Sequence, residues 1–523
     1  MHRTLAIAAL TVTLAITSAA QGPVDLATVG RIRQEAIQRS QAIEHVWWLS
    51  EVHGPRVTGT PGFAAASEWA MARFKEWGLS NVRQERFAFG QGWQIERFSA
   101  TMIEPRLSVL VGAPRGWSPS TDGPVTADVV RVDVQSEGDL AKHRGQLRGK
   151  IVLLQPVRAV RMLEGRHILR MTEAEWAEAA AMPLGAPAAA TAAVQQQMQA
   201  AQALAGAVQR FLVAEGAAAV LDRGAESDTV AGGSNLSWQA QRVDGGTIWP
   251  GAGGSRDPKA PVQVPSATLA VEHYNRMVRL LERGIPVRME LNIQTRFFPE
   301  GTALNGINTI AEIPGTDLAD EVVVMGAHLD SVPYAIGATD NATGSAAMME
   351  AVRVIQALGL KPRRTIRVAL WGGEEQGLLG ARAHVAQHYY DFEARQPKPG
   401  HEKVAGYFNL DNGTGRIRGI WSQENLAAMA LFDQWGATVK DLGWVQASPR
   451  AVAQTDHMPW DQAGIPGFQF IQERLEYGAR THHSSMDTFD RVQREDVTQQ
   501  GAIAAVFAWH AANWPEKIPR KAP

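Results

Sequence analysis

From about residue 303 onward, short apolar runs with strand character alternate with amphipathic helix patterns, and this alternation constrains the fold more than any other feature. The predicted strands are Glu321–Ala327, Thr365–Trp371 and Val404–Leu410. The predicted helices are Ala342–Leu358, Leu379–His388 and Val497–Trp514. Strands that alternate with helices of this length predict an α/β fold, with a mostly parallel central sheet flanked by helices on both faces.

Ionisable side chains follow each of the three predicted strands at the point where the strand ends. His328 and Asp330 follow the first strand, Glu374 and Glu375 follow the second, and Asp411 follows the third. Ligands of open α/β sheets bind at the carboxyl ends of the strands. We therefore expect these five side chains to meet at one edge of the sheet.

Two further groups, Asp340 in a loop before a helix and His483 in a late loop, extend the set. Each signal is weak alone, since an Asp before a helix is most often an N-cap and adjacent glutamates are usually a solvated turn. Taken together, unpaired charges crowded at one edge would repel one another and be poorly solvated. Divalent cations remove that cost, so we interpret the set as a metal site.

The residue types limit which metals the site is expected to bind. The chain has no cysteine, and imidazole with carboxylate suits zinc, cobalt or manganese. Asp340 is the candidate to bridge two neighbouring cations. Glu374 and Glu375 point different ways from the strand end, so one can bind metal while the other faces the attacking water. Asp330 is expected to accept a hydrogen bond from the His328 ring nitrogen that does not bind metal, and so to fix the orientation of the imidazole.

The central region has a different composition. Between about residues 110 and 295, short β-type runs are separated by Gly/Pro loops, and the Ala/Gln-rich segment Ala188–Ala214 predicts a long helix or a pair of helices. No cluster of histidines and carboxylates occurs there. We interpret this region as a separate α/β module that packs beside the site.

The N-terminus has a basic start, the apolar run Leu5–Ile16 and small residues before Gln21, a pattern typical of a cleaved secretory signal. A periplasmic or secreted protein is therefore expected, with no membrane association after signal cleavage, because no later stretch is long and apolar enough to span a bilayer. The 51 Lys and Arg against 53 Asp and Glu create no basic field, so nucleic acid is not an expected partner.

The motifs also occur in a familiar order along the chain. They are His328-Leu-Asp330, Ala338-Thr-Asp340-Asn341-Ala-Thr-Gly344, Trp371-Gly-Gly-Glu374-Glu375-Gln-Gly377, Asn409-Leu-Asp411 and His483-Ser-Ser-Met-Asp487-Thr488. In this order they resemble the co-catalytic di-zinc exopeptidases of metallopeptidase family twenty-eight, clan MH. Thr455-Asp456-His457 resembles a family segment near the substrate pocket. The central region resembles the protease-associated domain that several members insert.

The resemblance implies a phosphorylase/hydrolase-like zinc peptidase fold. Residues 1–20 would be the signal peptide, 21–109 and 296–523 the zinc peptidase domain, and 110–295 the inserted protease-associated domain. It also implies two Zn²⁺, replaceable by Co²⁺ or Mn²⁺. The implied metal ligands are His328 and Asp411 on one ion, Glu375 and His483 on the other, and Asp340 as the bridge. Glu374 matches the general base of the family. Asp330 is grouped with it as a catalytic residue because it is expected to fix the His328 imidazole, and Asp456, His457 and Tyr477 are candidates at the substrate.

The favoured function is an exported exopeptidase acting on peptides, most consistent with an aminopeptidase. A carboxypeptidase Q-like dipeptidase is the alternative, and a non-catalytic binding or receptor module on the same fold is a further one. An aminopeptidase needs an anionic group for the free α-amine, whereas a carboxypeptidase needs Arg or Lys for the carboxylate. Arg474 and Arg480 could serve in that way, although ordinary surface charges are the favoured interpretation. The protein is expected to be a monomer or a homodimer.

Overall fold

A computed structural model of the chain describes residues 24–182, 192–225, 229–231, 236–301 and 305–521. The expected signal peptide, residues 1–20, lies outside the described residues. So does the start of the expected Ala/Gln-rich helix. Within the described ranges, we find no helix with the length and apolar character needed to cross a membrane.

The helices and strands fall into three consecutive parts of the chain. The N-terminal part contains α1 (Leu26–Gln38), α2 (Ala42–Trp47), α3 (Pro61–Glu76) and β1 (Ser80–Phe87). The middle part contains β2 (Gly92–Glu104), β3 (Ser108–Val109), β4 (Gly112–Pro114), β5 (Val125–Arg131), β6 (Ile151–Leu153), α4 (Glu173–Ala180), α5 (Ala192–Glu215), β7 (Ala219–Asp222), β8 (Thr229–Ala231), β9 (Gln239–Gln241), β10 (Ser266–Leu269), α6 (Val271–Leu281) and β11 (Val287–Phe298). The C-terminal part contains β12 (Gly306–Ile313), β13 (Leu318–His328), α7 (Thr343–Ala357), β14 (Arg364–Trp371), α8 (Leu379–His388), β15 (Tyr390–Asp391), β16 (Gln396–Pro397), β17 (Val404–Asn409), β18 (Ile417–Trp421), α9 (Leu426–Ala437), β19 (Gln446–Ser448), α10 (Met458–Gln462), β20 (Gly467–Gln472) and α11 (Arg494–Asn513).

The larger sheet has the strand order β1-β12-β14-β13-β17-β20-β18-β19. Its centre, β14-β13-β17-β20, is parallel. Antiparallel pairs flank this centre at β1-β12, β12-β14 and β20-β18. The α/β prediction is confirmed, and the three predicted strands correspond to β13, β14 and β17. Their parallel arrangement brings their carboxyl ends to the same edge.

Both faces of this sheet are covered, as the apolar runs of its strands require. Val323 and Met325 of β13 pack on one face with residues of α1, α2, α3, α7, α9 and α11. Val322 and Val324 of the same strand pack on the other face with residues of α8 and α10. The alternation of side chains along a strand thus divides one apolar run between two cores.

The second sheet has the strand order β3-β2-β11-β5-β6-β7-β10-β4. One face packs against α6 through Tyr274 and Met277, and the other against α5 through Val208 and Leu212. This sheet includes β2, which starts at Gly92 and pairs along its length with β11. Since β2 precedes the expected boundary at residue 110, we propose residues 92–298 as the inserted unit. This range is called the second unit below.

Arg56, in the loop before α3, fastens the chain that leaves β13. Its guanidinium is fully buried and donates to the carbonyl oxygens of Leu329 (2.7 Å), Leu49 (2.7 Å), Ile336 (2.9 Å) and Gly337 (2.8 Å). Burial lowers the pKa of Arg56 to about 10, so the side chain still carries its charge at neutral pH. One cation therefore satisfies four carbonyl groups of the segments that surround residues 329–337.

We expect Arg56→Met to lower the free energy of unfolding by about 3 kcal/mol or more, because it leaves several buried carbonyl groups without a donor. Urea unfolding followed by circular dichroism measures the change. Arg363→Met is the matched control, because Arg363 lies on the surface and pairs with Asp317 at 2.7 Å, and it should have a smaller effect. An Arg56→Met protein as stable as the control would contradict the assignment.

Candidate active site

The carboxyl ends of β13, β14 and β17 bring the expected side chains together. His328 is the last residue of β13, and its Nε2 lies 3.2 Å from Oδ1 of Asp340 and 3.2 Å from Oδ1 of Asp411. All three side chains are buried. One imidazole nitrogen and two carboxylate oxygens thus form a first group.

A second group lies on the other side of Asp340. Nε2 of His483 lies 2.9 Å from Oε2 of Glu375 and 3.5 Å from Oδ2 of Asp340. The two carboxylate oxygens of Asp340 therefore face different groups. Nε2 of the adjacent His482 is 4.0 Å from the same Asp340 oxygen, so His483 is the better placed of the two histidines.

Glu374 lies beside the first group. Its carboxylate is close enough to His328 and Asp411 for one ligand atom from each of the three to lie within 4.8 Å of the others. Burial raises the pKa of Glu374 well above its usual value, and the negative charges of Asp411 and Asp456 act in the same direction. Burial also raises the pKa of Glu375.

The hydrogen bonding of the buried carboxylate oxygens indicates whether this cluster could hold a cation. Oδ2 of Asp340 and Oε1 of Glu375 make no hydrogen bond, and Oε2 of Glu375 has only the imidazole of His483 beside it. Buried carboxylate oxygens without a donor are costly and call for a compensating positive charge. The available donors are imidazole nitrogen and carboxylate oxygen, which suit zinc and similar divalent metals. The residues present fit such an ion.

Asp330 supports the site in a different way from that expected. Nδ1 of His328 faces the main-chain carbonyl oxygen of Asp330 at 2.9 Å, whereas the nearest carboxylate oxygen is 3.6 Å away. The carboxylate instead accepts the backbone N–H groups of Glu374 (3.2 Å) and Glu375 (3.4 Å). The imidazole is therefore oriented by the carbonyl group, and the Asp330 side chain holds the turn after β14.

The loop that carries Asp340 is fixed through its main chain. Asp487 accepts the N–H groups of Thr339 (2.6 Å) and Asp340 (3.0 Å). The Asn341 side chain donates to the carbonyl of Leu410 (2.8 Å) and accepts from Gly344 (3.0 Å). These bonds tie the loop to the end of β17 and to the segment after His483.

A cavity of about 520 Å³ opens over the cluster. The residues that line it are Asp340, Glu374, Glu375, Gly377, Leu378, Asp411, Asn412, Val452, Ala453, Gln454, Thr455, Met458, Arg474, Tyr477, His482 and His483. Tyr477 was expected at the substrate, and it lies in the wall. Burial raises the pKa of Tyr477 well above its usual value, so its hydroxyl keeps its proton.

Asp456 and His457 were also expected at the substrate, but neither is among the residues lining this cavity in the described part of the chain. Both side chains are fully buried at the start of α10. Nε2 of His457 faces the carbonyl oxygen of Val452 at 2.9 Å. Direct substrate contact by these two residues therefore stays a prediction.

Arg474 is a cavity residue that the sequence analysis assigned to the surface. It follows β20, a strand that was not predicted and that runs parallel to β17, so its carboxyl end reaches the same edge. Its guanidinium carbon lies 5.8 Å from the centre of the Tyr477 ring. No carboxylate among the described residues lies within ion-pair distance of Arg474. Arg480, by contrast, pairs with Glu476 at 3.2 Å and is not in the cavity wall.

A third set of ligand-type side chains, Glu85, His384 and His388, lies apart from the cavity. Oε2 of Glu85 lies 2.5 Å from Nδ1 of His384, and Arg83 donates to its other oxygen at 2.6 Å. Because Arg83 already balances the charge of Glu85, we interpret this set as an ion-pair network that joins β1 to α8.

Comparison with known proteins agrees with this geometry. The family model described as Peptidase family M28 matches residues 308–508. Carboxypeptidase Q of Mus musculus is 26% identical over 503 residues, which cover 96% of this chain and 90% of that protein. Aminopeptidase YwaD of Bacillus subtilis (strain 168) is 26% identical over 250 residues, 44% of this chain and 49% of that protein.

A solved structure extends the similarity to the whole fold. The crystal structure of a peptidase M28 precursor from Shewanella amazonensis SB2B has 25% sequence identity and a TM-score of 0.65, and the match covers 95% of this chain and 99% of that one. The matched region of the family model contains every strand end that contributes to the cluster. Residues 308–508 thus carry a peptidase domain of the M28 type, and the protein is a metallopeptidase.

Proposed function

We propose that the protein is an exopeptidase that binds two divalent cations, Zn²⁺ in the first instance, with Co²⁺ or Mn²⁺ as substitutes. The observation that carries this proposal is the division of ligand atoms around Asp340. Its Oδ1 lies 3.2 Å from Nε2 of His328, which also lies 3.2 Å from Asp411. Its Oδ2 lies 3.5 Å from Nε2 of His483, which also lies 2.9 Å from Glu375. His328 and Asp411 would hold one ion, His483 and Glu375 the other, and Asp340 would bridge them.

When bound, such cations supply Lewis acidity that lowers the pKa of water and polarises a carbonyl group. Glu374 is not needed as a ligand, and its carboxylate lies beside His328 and Asp411. We assign to Glu374 the transfer of a proton from the attacking water to the leaving amine. The water oxygen bonds to the scissile carbon, the C–N bond breaks, and the proton arrives on the amine nitrogen. General acid–base catalysis of this kind contributes about 10²–10⁴-fold.

Tyr477 is the protein group placed to assist at the carbonyl oxygen. Its hydroxyl is protonated at neutral pH, and the side chain lies in the cavity wall. Among the described wall residues, Thr455 is the other side chain with a neutral O–H donor. A hydrogen bond that strengthens as negative charge develops on the substrate oxygen stabilises the transition state. We assign that bond to Tyr477.

We expect Glu374→Gln to lower kcat by about 10²-fold or more, because the amide cannot take a proton from water. Metal content, measured by inductively coupled plasma mass spectrometry, should stay at the wild-type value. Glu393→Gln is the control, since Glu393 is exposed and outside the cavity. A turnover within about tenfold of wild type would contradict the role of Glu374.

We expect His483→Ala to lose one of two bound ions after dialysis, and Asp340→Ala to lose both, because only Asp340 faces both ligand groups. His482→Ala is the matched control and should retain both ions. Equal metal content in His482→Ala and His483→Ala would contradict the assignment of ligands.

Chelation of the wild-type protein should abolish peptidase activity, and added Zn²⁺ should restore it.

The cavity also bears on which end of the substrate is bound. Its four carboxylates, those of Asp340, Glu374, Glu375 and Asp411, are all assigned to metal binding or proton transfer. Arg474 is the cationic side chain of the described wall without an ion-pair partner. Guanidinium groups bind carboxylates through charge-assisted hydrogen bonds. The sequence favoured an aminopeptidase. The unpaired Arg474 in the described cavity wall supports a second candidate function, that of a carboxypeptidase or dipeptidase.

We expect Arg474→Met to lower kcat/KM for a free dipeptide by about 10- to 100-fold, the cost of losing a charged hydrogen bond. Activity on the C-terminal amide of the same dipeptide should change much less, and Arg474→Lys should keep part of the activity. Arg480→Met is the control. If the wild-type protein cleaves the amide as well as the free dipeptide but rejects the N-acetyl form, the aminopeptidase function is correct instead.

Export to the periplasm or the medium also belongs to this proposal and rests on the N-terminal sequence pattern. The identification of the second unit as a protease-associated domain stays a prediction. So does the expected monomeric or homodimeric state. Peptides are the substrates that the family assignment supports.

A further inference from the structure

Residues 475–485, called the histidine loop here, carry His483 and contact the second unit at three points. At the start of the loop, Leu475 and Leu169 exchange two main-chain hydrogen bonds of 3.1 and 2.8 Å. In the middle, the carbonyl of Ala479 accepts the N–H of Val243 at 2.9 Å. The loop is therefore paired with the second unit along most of its length.

The contact at the end of the loop is reciprocal. The N–H of Ser485 donates to the carbonyl of Ile248 at 3.0 Å. The N–H of Ile248 donates in turn to Oγ of Ser485 at 3.1 Å. Ser485 comes two residues after His483, so this pair of bonds holds the main chain directly beside the proposed ligand.

Apolar packing supports the same interface. Leu169, Ala240 and Ala479 form a small buried cluster. Gly478 lies so close to the second unit that a Cβ atom added there would meet the side chain of Val230 at 2.7 Å. The loop and the second unit are thus in close contact between the hydrogen-bonded points.

His483 depends on this support more than the other proposed ligands do. Its side chain is 46% exposed, compared with 1% for His328 and 1% for Glu375. Its ring contacts the ring of His482, with the ring centres 3.9 Å apart, but its other side is open, so the main chain contributes strongly to the position of Nε2. That main chain is left-handed, with φ of +55°, a conformation that residues with a Cβ adopt only when their surroundings enforce it.

We propose that the second unit positions His483 through the Ser485–Ile248 contact and thereby sets the metal affinity of the half-site formed by His483 and Glu375. Ser485 is a positioning residue in this proposal, because its side chain acts through the main chain of His483. The proposal rests on the function proposed above, in which these side chains bind a divalent cation. It gives the second unit a role in assembling the site.

The test is Zn²⁺ binding by equilibrium dialysis, with steady-state kinetics at saturating Zn²⁺ as the second readout. Ser485→Ala removes only the acceptor for the Ile248 N–H and leaves the ligand intact. We expect affinity for one of the two ions to fall about tenfold, as for other groups that orient a ligand, while kcat at saturating Zn²⁺ changes less than about twofold. Ser485→Thr keeps the hydroxyl and should restore the wild-type affinity.

Two further variants sharpen the test. Gly478→Ala should lower the same affinity without removing a hydrogen bond, because the new methyl group pushes the loop away from Val230. Ser237→Ala, which removes a surface hydrogen bond from Ser237 to Glu178 within the second unit, should leave the affinity unchanged.

The outcomes separate this proposal from the function on which it rests. If Ser485→Ala and Gly478→Ala both bind two ions as tightly as wild type, or lower kcat with unchanged metal affinity, the positioning role is wrong and the metallopeptidase site stands. If the wild-type protein binds no Zn²⁺ at all, the proposed function fails first.

Discussion

The mutual repulsion of four carboxylates crowded around one cavity is the constraint that the rest of the site satisfies. Asp340, Glu374, Glu375 and Asp411 surround one cavity, and several of their oxygens have no hydrogen-bond donor. Such a group does not gather by itself, because each carboxylate would favour water over its neighbours. The fold imposes the arrangement through the backbone. Asp487 holds the Asp340 loop, the Asp330 carboxylate holds the turn of the two glutamates, and residues 329–337 are fastened by Arg56.

The proposed ligands differ in how the fold fixes them. His328 and Asp411 come at or just after the ends of adjacent parallel strands, so the sheet sets their spacing. His483 comes from a loop, in a left-handed conformation, with nearly half of its side chain exposed. Its placement depends on a part of the chain distant in sequence. The two halves of the cluster therefore have unequal rigidity although their ligand types are the same.

Much of this could be predicted from the sequence. The strands β13, β14 and β17 are short apolar runs followed by polar residues. Their parallel arrangement places four of the proposed ligand and base residues, His328, Glu374, Glu375 and Asp411, at a common edge. Features that depend on non-local pairing were missed. β2 joins the second sheet only by pairing with β11, almost two hundred residues later, and β20 was not predicted, so Arg474 was assigned to the surface. Asp456 and His457 have side chains that could bind substrate, but both are buried at the start of α10 and do not line the described cavity.

The chain passes between the two sheets twice, and the two crossings begin and end at paired strands. Phe87 of β1 lies opposite Gly306 of β12, and Gly92 of β2 lies opposite Phe298 of β11. The chain thus departs from the larger sheet and re-enters it at neighbouring positions. β1 and β12 are antiparallel neighbours, so a tight hairpin would be enough to connect them directly. On the proposed division of the chain, residues 92–298 could be absent without a change in the strand order of the larger sheet.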